Sequence, residues 1–248
     1  MTVMPEAGFS LLTSDLHLSP AQPHVTHQFG EFLRRHAGGA HALYLLGDLF
    51  EYWLGDDTLD APLAQQIIAW LAELSTRGTQ VYLMHGNRDF LIGTEFARRC
   101  GARLLDDPCL INLHGTPTLL SHGDSLCTDD LPYQAFRRQV RHPVWQAQFL
   151  ALPVAERIAQ AETARRQSEA AQQEKSAAIM DVNLDAVHAL LRAHGYPRLI
   201  HGHTHRPARH SFELDNHACE RWVLPDWSDT RNGWLRCDAG GCSFEQLA

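Results

Sequence analysis

Residues 42–53 read ALYLLGDLFEYW, in which the apolar run Ala42 to Leu46 stops at Gly47-Asp48. A short, uninterrupted apolar run bounded by turn residues is the pattern of a strand covered on both faces. The same arrangement recurs along the chain. Phe9 to Thr13 leads into Asp15-Leu16-His17, and Gln80 to Met84 into Gly86-Asn87-Arg88-Asp89. Thr118 to Ser121 leads into His122-Gly123-Asp124, and Arg198 to Ile200 into His201-Gly202-His203-Thr204-His205. Helical spacing fills several of the intervals. Pro62 to Thr76 carries Leu63, Ile67, Ile68, Leu71 and Leu74, with Pro62 suited to a first turn and Gly78 past the end. Leu184 to His194 repeats the pattern and stops at Gly195. Alternating strands and helices predict a layered α/β fold, in which ligands gather beyond the carboxyl ends of the strands. All five polar motifs fall there.

The chain has 248 residues, 44% of them hydrophobic, which suits one domain over residues 1–248 with an insertion. A formal charge of −8 argues against a general nucleic-acid binder, because phosphate-backbone affinity rests on clustered Lys and Arg. No apolar run approaches the ~20 residues that cross a bilayer. The opening MTVMPEAGFSLLTSDLHL lacks a basic start and a cleavage site, so the expected location is the cytoplasm. Cys100, Cys109, Cys127, Cys219, Cys237 and Cys242 form no CxxC pair and are expected to be reduced and packed in the interior. After His205, three short strand-like runs (Ser211 to Leu214, Arg221 to Leu224 and Trp234 to Cys237) predict a second sheet region closing a sandwich.

Residues 131–183 break the alternation. They read as an inserted helical cap, with Phe136, Val140, Val144, Trp145, Phe149, Leu150, Leu152, Val154 and Ile158 in its first half and Pro143 and Pro153 dividing it into short helices. Between Tyr133 and Lys175, Arg137, Arg138, Arg141, Arg157, Arg165, Arg166 and Lys175 face only Glu156, Glu162, Glu169 and Glu174, a net +3. An apolar, basic insert suits a lipid or a membrane surface carrying negative charge; a helical hairpin packed on the core with a solvated face gives the same composition.

Carboxylate and amide oxygens mixed with imidazole nitrogens suit divalent metals, manganese or ferrous iron most comfortably. Seven such groups exceed the roughly four that one tetrahedral site needs, so two metals are expected. Taken singly, Asp48 and Asn87 could cap the following helices, and His122 could be a hydrogen-bonded core histidine. His201, nearest its strand, is expected to support the ligands from behind. His85, His114 and His210 carry no assigned role.

The five motifs, in order over residues 13–207, resemble the calcineurin-like metallophosphoesterase superfamily. The resemblance implies a β-sandwich flanked by helices with a dinuclear centre. Asp15, His17, Asp48 and His205 would hold one metal and Asp48, Asn87, His122 and His203 the other, with Asp48 bridging. Two metals can lower the pKa of a shared water and clamp the attacking and leaving oxygens of a displacement at phosphorus. Arg88 stands where many members carry a histidine able to protonate a leaving alkoxide. Arginine keeps its proton, whereas a phosphate leaving group, with a second pKa of about 6, needs no such acid. Arg88 therefore favours a phosphoanhydride, its fork holding phosphate oxygens; a structural salt bridge to Asp89 is the alternative.

Within the superfamily, SDLHL, LGDLFEYW, HGNRDFLIG, SHGDSLCTDD and IHGHTHRP look closely like the pyrophosphohydrolases of the lipid A pathway that act on UDP-2,3-diacylglucosamine. The resemblance implies release of UMP and the diacylated sugar 1-phosphate (lipid X), water attacking the UMP-side phosphorus with two Mn²⁺ per chain. Its catalytic set maps onto Asp48, Asn87 and Arg88. The substrate set maps onto Asn87, Arg88, Asp130, Ser168, Gln172, Lys175 and His203, with Gln172 where the family often has Asn. Ser168, Gln172 and Lys175 are spaced to share one helix face. The implied location is the cytoplasmic face of the inner membrane, bound peripherally, with no obligatory protein partner. Two rivals fit the same scaffold: a soluble nucleotide pyrophosphatase or phosphodiesterase, and a noncatalytic scaffold binding a partner through its insert.

Overall fold

The computed structural model describes residues 8–174 and 181–247. In chain order the described strands are β1 (Ser10–Thr13), β2 (Ala42–Leu46), β3 (Gln80–Met84), β4 (Ala102–Leu105), β5 (Cys109–Leu113), β6 (Thr116–Ser121), β7 (Arg198–His201), β8 (Ala208–Leu214), β9 (His217–Val223), β10 (Trp234–Asp238) and β11 (Gly241–Glu245). The α-helices are α1 (Pro23–Phe32), α2 (Pro62–Thr76), α3 (Thr94–Cys100), α4 (Leu131–Val140), α5 (Pro143–Leu150), α6 (Val154–Glu174) and α7 (Leu184–Ala193).

Two sheets pack face to face. One has the order β11-β10-β1-β2-β3-β4 and the other β5-β6-β7-β9-β8. Strands β1 to β4 run parallel, as do β6, β7 and β9. Their carboxyl ends therefore open on one side of the molecule, which is where the five motifs leave their strands.

Side-chain alternation assigns the two faces of each strand. Leu12, Tyr44 and Leu46 meet Leu120, Ile200 and Trp222 between the sheets. Their neighbours Leu11, Leu43 and Leu45 point the other way, onto Phe29, Phe32, Ile67 and Leu71 of α1 and α2. On the far side, Leu119 and Leu199 pack against Val187 and Leu191 of α7. The result is helices, sheet, sheet, helix, the flanked sandwich expected. Each fully buried Leu contributes up to about 1.5–3 kcal/mol, which explains why the apolar runs set the strands so firmly.

Two expectations are corrected. Of the three late runs, only the first two join the second sheet. The third, β10, pairs antiparallel with β1 in the first sheet, where Leu235 lies opposite Leu12. The other correction concerns cysteine: Cys237 and Cys242, cross-strand partners in the β10-β11 hairpin, form a disulfide. Register across a tight hairpin, invisible in spacing rules built on CxxC, brings the two sulfurs together. Cys100, Cys109, Cys127 and Cys219 are free.

The insertion forms α4, α5 and α6, broken at the expected prolines. Arg157 of α6 is buried and its guanidinium donates to both carboxylate oxygens of Asp57 and to the Leu54 carbonyl, just after β2. At its other end the cap is tied down just past α4, where Arg141 donates to the Gly86 carbonyl at 2.8 Å. Among the described residues, no helix is long and apolar enough to cross a membrane.

Candidate metal centre

Where each strand ends, the backbone turns sharply. Asp15, His17, Asp48, His203 and His205 all have φ between 50° and 70°, the left-handed region that Asn, Asp and His enter more readily than other side chains. This turn aims consecutive polar groups into one space beyond the sheets. Its strain persists only where surroundings hold it, and here the two first loops hold each other. Asp15 N donates to the Gly47 carbonyl (3.1 Å), His17 N to that of Asp48 (2.9 Å) and Leu18 N to that of Leu49 (3.0 Å).

The glycines of the motifs allow close approach. A Cβ on Gly86 would lie 2.0 Å from Asp48 Oδ1, and one on Gly202 would lie 2.4 Å from Asp15 Oδ2. Neither position tolerates a side chain.

All seven sequence-predicted ligands converge. Asp15 Oδ1 faces His205 Nε2 at 3.3 Å, and Asp15 Oδ2 accepts from the backbone N–H of His203 at 2.9 Å. Asp48 Oδ2 lies 3.8 Å from His17 Nε2 and 3.7 Å from His122 Nε2. His122 Nε2 is in turn 3.0 Å from Asn87 Oδ1. The His122 and His203 rings stand 5.1 Å apart, and those of His17 and His205 5.4 Å apart. Ligand atoms of Asp15, His17 and His205 form one compact group, and those of Asp15, Asp48 and His122 another. Both buried carboxylates thus lie between two histidine clusters.

Asp48 caps no helix, since the next one begins at Asp56; its Oδ1 instead accepts the Arg88 backbone N–H at 2.8 Å. That bond ties the second strand end to the third.

The electrostatics call for positive charge. Asp15 and Asp48 are almost wholly buried, and an unpaired buried carboxylate is costly. Burial pushes the Asp48 carboxyl up. At Asp15 burial pushes the same way, but the facing His205 imidazole, with His122 and His17, draws it below the usual carboxylate range. Burial opposes protonation of His122, yet Asp48, Asp15 and Asp124 raise it to about 9. Burial and the neighbouring His122 lower His203 to about 3. The histidines facing the two carboxylates are thus drawn toward their positive form.

The donors fit a divalent metal. Asp15 Oδ1 and His17 Nε2 are buried and make no hydrogen bond, so both are available to a cation, while His17 Nδ1 lies beside Glu51. His122 is oriented for the same role: Nδ1 donates to the Leu46 carbonyl (2.9 Å), leaving Nε2 to face Asn87 and Asp48.

Beside this cluster a cavity of ≈ 500 Å³ runs under the cap. Glu51, Asn87, Arg88 and Arg165 line its polar part, and Trp53, Leu54, Phe90, Phe136, Trp145 and Phe149 its apolar part.

The sequence pattern of the calcineurin-like phosphoesterases matches residues 10–207. Over most of its length the chain is also similar to curated proteins named UDP-2,3-diacylglucosamine hydrolase. That of Stenotrophomonas maltophilia is 51% identical, covering 96% of this chain and 98% of the relative. The Aromatoleum aromaticum protein is 53% identical over 94% of each chain, and that of Chromohalobacter salexigens 54% identical over 91% of each. The chain belongs to the UDP-2,3-diacylglucosamine hydrolase family of calcineurin-like phosphoesterases.

The family's phosphoesterase fold implies a divalent metal site, and the cluster described here supplies it with candidate ligands. The remaining residues singled out in this hydrolase-family sequence fall into place unevenly. Arg88 lines the cavity and does not pair with Asp89; its Nη1 lies 3.7 Å from Glu51. Asp89 is instead buried and accepts the backbone N–H groups of Leu49 (2.7 Å) and Gly86 (2.8 Å), splinting two ligand loops. Asp130 caps α4 by accepting the Tyr133 N–H. Ser168 and Gln172 lie on the α6 backbone, and Lys175 lies outside the described residues. His201 is fully buried, with Nδ1 donating to the Gly202 carbonyl and Nε2 facing Arg221; burial and Arg221 lower it to about 4, so it is a neutral prop behind the ligands.

Three residues escaped the sequence reading. Asp124 accepts from Tyr133 Oη (2.6 Å) and Arg137 Nε (2.8 Å), fastening α4 to the loop that bears His122. The Tyr133 ring stacks on His203 at 5.9 Å. Glu51 faces His17. Asp124 and Glu51 at least sat inside quoted motifs, SHGDSLCTDD and LGDLFEYW; nothing local distinguishes Tyr133.

Proposed function

We propose that this chain hydrolyses the diphosphate of UDP-2,3-diacylglucosamine, releasing UMP and 2,3-diacylglucosamine 1-phosphate, with water attacking the UMP-side phosphorus. One observation carries the proposal: a single cavity joins a polar end at Asn87 and Arg88 to an apolar, aromatic end beneath the cap. A diphosphate fits the first and acyl chains the second. The substrate named for the three relatives combines both parts.

Asp15, His17, Asp48 and His205 would hold one Mn²⁺, and Asp48, Asn87, His122 and His203 the other. Bound there, the ions supply a water of lowered pKa and neutralise charge on phosphate oxygens. The chain's residues do the rest. Asp48, held by the Arg88 N–H, sits between the His17 and His122 nitrogens. The Arg88 guanidinium offers two donors to phosphate oxygens. With water attacking the UMP-side phosphorus, the leaving group is the sugar 1-phosphate, which needs no proton from it. Asn87, Arg88, Asp130, Ser168, Gln172, Lys175 and His203 form the proposed substrate set. Phe90, Trp145 and Phe149 exclude water around the acyl chains.

Exposed Leu131, Val144 and Leu150 on the basic cap suit peripheral contact with the cytoplasmic face of the inner membrane. Binding of nucleic acid or of an obligatory protein partner forms no part of this reading.

The test is turnover of UDP-2,3-diacylglucosamine by Mn²⁺-loaded protein in H₂¹⁸O, read by mass spectrometry. Label in UMP is expected. Label in the sugar phosphate would reverse the assigned phosphorus, and turnover of soluble nucleotide diphosphates alone would overturn the substrate.

A further inference from the structure

Glu51 follows the candidate bridging ligand by three residues and is rigidly placed. Its backbone N–H donates to the Leu18 carbonyl at 3.1 Å, and Leu18 and Phe50 form a parallel bridge between the first two ligand loops. This puts the Glu51 carboxylate beside His17, with Oε2 3.2 Å from Nδ1. The other His17 nitrogen, Nε2, points to Asp48. Oε1 meets two guanidinium groups, Arg88 Nη1 at 3.7 Å and Arg165 Nε of α6 at 3.5 Å.

A carboxylate lining a diphosphate cavity is an odd choice on charge alone. Its contacts supply the reason. A carboxylate on the rear nitrogen of a metal-binding histidine fixes its tautomer and ring angle and makes the front nitrogen more basic. The same anion holds Arg88 and Arg165 at the cavity wall, and their charges offset its own.

We infer that Glu51 is a positioning residue that turns His17 Nε2 toward the metal while anchoring Arg88 and, through Arg165, the cap. The inference rests on the metal-dependent reading proposed above, and nothing in that reading assigns Glu51.

Calorimetric titration of the intact protein with Mn²⁺ tests it. In Glu51→Ala one of the two Mn²⁺ affinities should fall about 10–100-fold, and the Mn²⁺ concentration giving half-maximal activity should rise equally. Glu51→Gln keeps a carbonyl oxygen able to accept from Nδ1–H and should lose less than about tenfold. Wild-type affinity at both sites in Glu51→Ala overturns the inference, as does equal damage in the two variants. Should Glu51→Ala fail to fold, wild-type affinity in Glu51→Gln supports the inference and a loss of 100-fold overturns it. Wild-type protein that binds two Mn²⁺ but spares the substrate rejects the proposed function, while the isotherms still judge Glu51.

Discussion

The strand-end loops and the helical cap meet at one cavity but are built on opposite terms. The loops are locked by backbone: left-handed turns, hydrogen bonds from one loop to the next, and glycines with no space for a methyl group. The cap is moored by side chains, namely Arg157 to Asp57, Arg141 to Gly86, and Tyr133 and Arg137 to Asp124. Reaction chemistry demands fixed geometry, whereas admitting a long ligand demands an element that can shift without disturbing the metals. Damage in the loops should therefore strike metal binding and turnover, and damage in the cap substrate affinity.

The largest effect should come from Asp48→Ala, which removes the carboxylate between the two histidine clusters. A loss of several kcal/mol of transition-state stabilisation predicts a fall in kcat of about 10³-fold or more, and metal analysis should find less than two Mn²⁺ per chain. Full metal content with normal kcat would break the division of labour at its centre. Gly86→Ala comes next. The added methyl collides with the Asp48 backbone N–H as well as its carboxylate, so the folded yield should fall and the fraction that folds should lose kcat about 100-fold with KM little changed. A rise in KM alone would show that this loop serves substrate binding.

Arg157→Ala tests the other half. Asp57 is half exposed and recovers water, but truncating the buried Arg157 leaves a void and an unpaired Leu54 carbonyl, so the stability loss should be about 2–4 kcal/mol. KM for the diacylated substrate should rise about tenfold, with faster amide exchange in α6 and unchanged Mn²⁺ affinity. Loss of metal would show that the cap also supports the centre.

The smallest effect is in pH dependence. His122 is raised to about 9, so in metal-free protein its protonation adds stability that is fully present below about pH 6.5 and fades as pH climbs through about 9. Metal requires the neutral ring. Melting of metal-free protein should thus weaken between pH 6.5 and 9, while the increment added by Mn²⁺ grows; an increment constant across that range would contradict it.

Much of this was legible before folding was considered. Ala42 to Leu46, Gln80 to Met84 and Pro62 to Thr76 form the expected elements with the expected limits, because each buries enough apolar surface to outvote its surroundings. The half-exposed β4, β5 and β11 carry weaker signals, and β10 shows that apolarity predicts a strand but not the sheet it joins. The seven metal-binding candidates stood out because each is polar where a buried strand has just ended. Glu51 and Tyr133 did not, since their importance lies in what faces them across the fold. The disulfide was hidden for the same reason.

The left-handed backbone at five of the candidate ligands also filters substitution. Asn, Asp, His and Gly enter that conformation most readily, whereas β-branched side chains are outliers there. A library randomised at Asp15, His17, Asp48, His203 and His205 would accordingly return folded members from a narrow alphabet, most of whose letters carry oxygen or nitrogen donors. In such a scaffold, drift away from cation chemistry is resisted by chain geometry as well as by selection for catalysis.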